Sequence, residues 1–165
     1  AWENSLREGR TSEDRKTGAL GYSSRAPGSP DVAARTGAMA TALGVAGREK
    51  AFAKSLAESL VRLNARMRHA HAMSSIGMIF GFSGIKQGSP RNHSKVLKAW
   101  SPYLELSRLP HGGAAFFGGK RNIGGDQYLG LSSIGNATTG LVLASADNRL
   151  FMPGGTRKGW FGTGN

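Results

Sequence analysis

His69 to Gly84 reads HAHAMSSIGMIFGFSG, and how these sixteen residues are placed decides the fold. Met73, Ile76, Met78, Ile79, Phe80 and Phe82 alternate with alanines, serines and glycines, and no formal charge interrupts them. A helix at a protein surface carries a polar face, and this run offers only two serines for one, so it is expected to be buried on every side. It is shorter than the roughly 20 apolar residues that cross a bilayer. Each glycine inside a helix costs about 1 kcal/mol relative to alanine, and close approach by neighbouring backbones is the compensation. The expectation is a central helix in a layered, all-α body.

The flanking segments differ in kind. On the N-terminal side, Arg48 to Arg68 places Phe52, Leu56, Leu60, Leu63 and Met67 at spacings of four, four, three and four, one face of a 3.6-residue period. Lys50, Lys54, Glu58, Arg62 and Arg66 form a second, charged stripe. This predicts one helix over 48–68, apolar inward and basic outward. Before it, Val32 to Ala46 is alanine-rich with Arg35 as its one charge, opened by Pro30-Asp31 and ended by Gly47. Beyond the central run, Asn92 to Ala99 reads as a second amphipathic helix, ended or kinked by Pro102. Residues 107–127 read as glycine-punctuated turns around a short strand or an aromatic plug at Phe116 and Phe117, and Asn136 to Ala146 as a third small-residue helix. Residues 1–30 have loop composition, with Gly18 to Ser23 as an ordered turn, and 153–165 form a glycine-rich tail. The helical domain is therefore placed at 31–152.

Slim apolar helices thus alternate with stouter one-faced ones. Such an alternation describes inner and outer helices of stacked hairpins, which need neighbours to cover their exposed sides. Three inner and two or three outer helices make about half of a ring by this reading, so missing partners are expected, in a longer chain or a complex. The opening Ala1-Trp2-Glu3 fits an excised or processed piece.

The segments GALGYSS, ARTGAMATAL, HAHAMSSIGMIFGF, GGKRNIGGDQYLG and GNATTGLVLA resemble the repeats of the α/α toroid found in terpene cyclases and protein prenyltransferase β-subunits. The stretch from TGALGYSS through GGDQYLG is similar to the C-terminal toroid region of a bacterial family whose longer members carry a PDZ-like domain. The resemblance implies a partial α/α toroid with glycine-rich loops before its inner helices. It does not bring the families' chemistry with it. The aspartate-rich DxDD motif of the cyclases is absent, and the prenyltransferase zinc set needs a cysteine where this chain has none.

Composition narrows the classes further. The 165 residues suit one domain, and the lack of cysteine excludes disulfides and thiolate metal sites. That lack fits the cytosol and a bacterial exterior equally. The net charge of +12 is concentrated: residues 47–111 hold eleven Lys and Arg against three Asp and Glu. A segment this basic suits nucleic acid, anionic lipid or an acidic polymer, or else a solvated helix face with a missing acidic protein partner.

His69 and His71 are one candidate catalytic pair, at the start of the central run. On a helix their side chains diverge by about 200°, so a metal site would need further ligands, and none is assigned. Asp126, in GGDQYLG beside Tyr128, is either a cap for the next turn or an acid–base group at a ring mouth. Arg91, Asn92 and His93, with a tyrosine, resemble in residue type the Asn, His, Tyr and Arg set of toroidal polysaccharide lyases; Asn92 is equally a helix cap. His111 and Arg35 complete the candidate binding residues, Arg35 being expected to pair with a buried acid or backbone carbonyls. The double glycines form neither GxGxxG nor a P-loop, and no cofactor is implied. The leading expectation is a toroid module with an assembly or ligand-binding role. An enzyme acting on an acidic polysaccharide and a nucleic-acid binder are the alternatives.

Overall fold

The computed structural model describes residues 2–23, 25, 32–72, 74–110, 112–116 and 131–146. Those residues form helices α1 (Trp2–Thr11), α2 (Val32–Ala46), α3 (Lys50–Arg62), a 3-10 stretch (Asn64–Ala72), α4 (Ser74–Ile85), α5 (Pro90–Leu106) and α6 (Leu131–Ala146). No strand occurs among the described residues, and the isolated bridges Glu13–Leu20 and Arg108–Ala114 merely close turns. The protein is all-α.

The central run is helical over Ser74–Ile85 and packs at the centre, but it is not buried on every side as expected: Phe80 is 39 % exposed, and His69 lies exposed on the 3-10 stretch ahead of the helix. α4 packs against α2 most extensively, against α6 on its other side, and against α3, α5 and the 3-10 stretch. A Cβ on Gly77 would strike the Met67 carbonyl, and one on Gly84 would stand 2.6 Å from the Cα of Gly37 in α2. Any larger side chain at these two positions would force the elements apart. Gly77 and Gly84 therefore let three backbones converge, Gly81 makes room for the Met67 side chain, and Met78, Phe82 and Ile85 are fully buried. Burying side chains of this size contributes roughly 1.5–3 kcal/mol each. That gain outweighs the helix penalty of the glycines.

The two one-faced helices, α3 and α5, pack against this slim set and touch each other. Phe52, Leu56 and Leu60 of α3 face inward, as do Val96, Trp100 and Leu104 of α5. Lys50, Lys54, Glu58 and Arg62 are exposed on α3, and Arg91, Lys95 and Lys98 on α5. No described helix is long and apolar enough to cross a membrane.

Three elements differ from expectation. The helix predicted over 48–68 stops at Arg62, because Asn64 intervenes. Its side-chain amide donates to the Val61 carbonyl at 2.7 Å and its oxygen accepts the Trp100 indole N–H at 3.0 Å. Short polar side chains compete in this way with the helical ladder. The chain goes on as the 3-10 stretch, which still delivers Met67 to the core. Second, α5 starts at Pro90, with its ring at the favoured first position, and runs straight through Pro102. A proline deprives the carbonyl four residues back of its donor. Here that carbonyl is Lys98, and the Ser101 hydroxyl donates to it at 2.9 Å.

Third, residues 2–11 form α1 although their composition reads as loop. Trp2 and Leu6, four apart, pack on a cluster of Leu20, Leu43, Phe52 and Leu56. Arg10 pairs with Glu49 at 2.6 Å and lies over the Phe52 ring. Tertiary contacts rather than propensity make this helix. The turn that follows is ordered, as anticipated: Asp14 accepts the Thr17 hydroxyl at 2.6 Å, and the Leu20 amide donates to Thr36 of α2 at 2.9 Å. The Thr17 hydroxyl, more than the neighbouring backbone amides, holds the Asp14 carboxyl below its ordinary pKa.

Candidate functional site

The candidate residues divide by position. His111, Asp126 and Tyr128 lie outside the described residues, as do Phe117 and the 153–165 tail. His69 is exposed on the 3-10 stretch, and His71 is described there by its backbone alone. Among the described residues no three of His, Asp and Glu converge as metal ligands would.

Arg91, Asn92 and His93 share the first turns of α5 but point into different surroundings. Arg91 is exposed, Asn92 is half-buried, and His93 is only 2 % exposed. The His93 ring meets Phe82 edge-on, with centroids 5.9 Å apart, and its Nε2 lies 3.1 Å from Ser145 Oγ in α6. Ser145 has one hydroxyl proton, and its 2.6 Å contact with the Val142 carbonyl takes it. Nε2 therefore carries the imidazole proton and donates to Ser145, which leaves Nδ1 as the acceptor. Burial, and secondarily the charge of Lys86, lower the His93 pKa to about 4. His93 is a neutral core residue tying α5 to α6.

From His93 an aromatic series crosses the core. Phe82 meets Trp100 edge-on at 6.0 Å, Trp100 meets Tyr103 at 5.4 Å, and Tyr103 stacks on Phe116 at 5.8 Å. Phe116 is the aromatic plug anticipated between the double glycines, buried to 1 % exposure. Arg68 lies over the Tyr103 ring, its guanidinium carbon 4.7 Å from the centroid. The amide of Ala114 donates to Asn136 at 2.7 Å and so fastens this loop to α6. Every member of the series has a packing role.

Among the described residues Arg35 pairs with no acid. Its side chain is exposed, and its guanidinium lies 4.3 Å from the centroid of the Tyr22 ring. Beside it a groove of about 510 Å³ runs between α1 and α2, lined by Trp2, Glu8, Leu20 and Met39 along with Arg35. Sequence reading did not find this groove, because it assigned α1 to a loop. The four-residue spacing of Trp2 and Leu6 was the available signal. A second crevice, of about 380 Å³, lies between α5 and α6, with Leu97, Leu104 and Leu143 in its wall.

These placements define the class: an all-α protein with a glycine-seated central helix, basic one-faced helices and a groove beside α2. Comparison of the chain with protein-family models, curated proteins and solved structures returned no match.

Proposed function

We propose that the chain is a wall module of the α/α-toroid type, with α2, α4 and α6 as inner helices and α3 and α5 as outer ones, and that it works by assembling with further helical hairpins. The observation that carries this reading is the asymmetry of its two ends. At the α2 end, α1 lies beside α2 and meets it at Gly9 against Met39. At the α6 end, Leu141 and Leu143 are 38 % and 49 % exposed, and a Cβ on Gly140 would meet nothing within 4 Å. Two apart on a helix, these leucines point to different sides of α6; Leu143 lines the crevice between α5 and α6 with Leu97 and Leu104, and apolar surface left open there marks a packing edge. Native mass spectrometry tests the proposal. The wild-type chain is expected in a complex, with its own copies or with a protein supplying hairpins, and Leu141→Lys with Leu143→Glu is expected as a folded monomer. A wild-type chain that is monomeric under all conditions, with the double variant indistinguishable from it, overturns the reading.

A second reading rests on the outer helices. Between residues 50 and 104, Glu58 is the sole acid among nine Lys and Arg, and the lysines of α3 and α5 face solvent. An acidic polymer, nucleic acid included, fits that surface through its backbone charges. Affinity for such a polymer should fall linearly with the logarithm of salt concentration; binding that ignores salt, or no binding at low salt, removes this reading.

A further inference from the structure

We propose that the groove between α1 and α2 is a binding site for a small amphipathic monocarboxylate, with Arg35 as the group that receives the carboxylate. The groove's volume of about 510 Å³ falls within the ~300–1,000 Å³ of ordinary small-molecule sites. Its floor is made of small residues, Gly9, Ala38 and Ala42, and its walls of Trp2, Leu20 and Met39. Such a lining takes an apolar body.

Polar groups are few and placed unequally. Arg35 forms no ion pair among the described residues, where the two salt bridges are Arg10–Glu49 and Arg108–Glu105. Its guanidinium carbon lies over the Tyr22 ring, 4.3 Å from the centroid. A cation–π contact with a ring uses none of the guanidinium N–H donors, which can match a carboxylate two to two. Glu8 also lines the groove, and it accepts a hydrogen bond from the Ser12 hydroxyl at 3.4 Å. A second negative charge on the ligand would meet Glu8 without a cation to offset it. The site therefore selects one carboxylate on an apolar chain or ring, and rejects both the uncharged alcohol and the dicarboxylate.

Calorimetric titration of the full chain with decanoate, decanol and decanedioate tests this. Decanoate is expected to bind, and the other two at least about tenfold more weakly. Arg35→Gln, at an exposed position of α2, should weaken decanoate about tenfold or more while leaving decanol unchanged. Ala42→Trp, which fills the groove without touching Arg35, should abolish binding of decanoate. No decanoate binding, equal affinity for decanoate and decanol, or an Arg35→Gln variant with wild-type affinity overturns the proposal. The groove lies at the α2 end and the assembly edge at the α6 end, so either can fail alone.

Discussion

Gly84 of α4 meets Gly37 of α2 backbone to backbone: a Cβ added to Gly84 would lie 2.6 Å from the Gly37 Cα and 2.7 Å from Leu60 Cδ1. A Cβ added to Gly37 would in turn run into the Phe80 carbonyl. Backbone cannot swing aside as a side chain can. Gly84→Ala and Gly37→Ala are each expected to destabilise the fold by about 2–3 kcal/mol, as overpacking of a tight core does. Gly140→Ala is the control, because nothing stands within 4 Å of its added methyl. Helix propensity alone should then raise stability, by up to about 1 kcal/mol. Urea unfolding of the three variants reads both signs.

His93 gives the fold an acid sensitivity of defined sign. Its pKa is about 4 in the folded state and 6.5 as an ordinary imidazole. Above pH 6.5 the ring is neutral in both states and costs nothing. As pH falls below 6.5 the unfolded chain takes up a proton that the native core refuses, so stability declines until pH 4 and then levels. The loss over that window is on the order of 3 kcal/mol. His93→Leu removes this component of the decline. Ser145 keeps its bond to Val142 in that variant, so the cost at neutral pH is small. Chemical denaturation at a series of pH values compares the two slopes.

Pro102 sits inside α5 with its ring exposed. Pro102→Ala restores an amide to the Lys98 carbonyl and is expected to stabilise the protein by about 1–3 kcal/mol, a proline in a helix interior costing roughly 3. In the presence of Pro102, Ser101→Ala should destabilise by up to about 1 kcal/mol. In the Pro102→Ala background the same change should do almost nothing. A double-mutant cycle by thermal unfolding checks this coupling.

Asn64 joins the end of α3 to Trp100 through both ends of its amide. Asn64→Ala leaves the indole N–H of Trp100 without its partner, at a cost of about 1–3 kcal/mol. The Trp100 indole proton should shift in the NMR spectrum and exchange faster with solvent. An unchanged indole resonance would contradict the assigned bond.

The sequence was most informative where one cause acted alone. α2 runs over 32–46 as anticipated, because a cap signal, an alanine-rich run and Gly47 agreed. The chargeless 69–84 run points to a central helix, which the structure places over 74–85; burial on every side holds for Met78 and Phe82 but not for Phe80. α1 was missed because Trp2, Leu6 and Gly9 acquire meaning only against Met39 and Leu20, which are remote in sequence. The end of α3 was overestimated because the apolar period continues past Asn64, whose amide finds Trp100 thirty-six residues later. Arg91, Asn92 and His93 looked like one constellation because adjacency in sequence is visible and direction around a helix axis is not. Ser145, the partner that makes His93 a core residue, carries no signal of that role among the other small residues of α6.

The account depends on α2 and α4 meeting at their glycines, with the slim helices side by side. A nuclear Overhauser effect between the α-protons of Gly37 and Gly84 measures that contact directly. The fold described here predicts a strong cross-peak between them. Its absence, with the Gly84 α-protons seen only by residues of α4 itself, would contradict the arrangement.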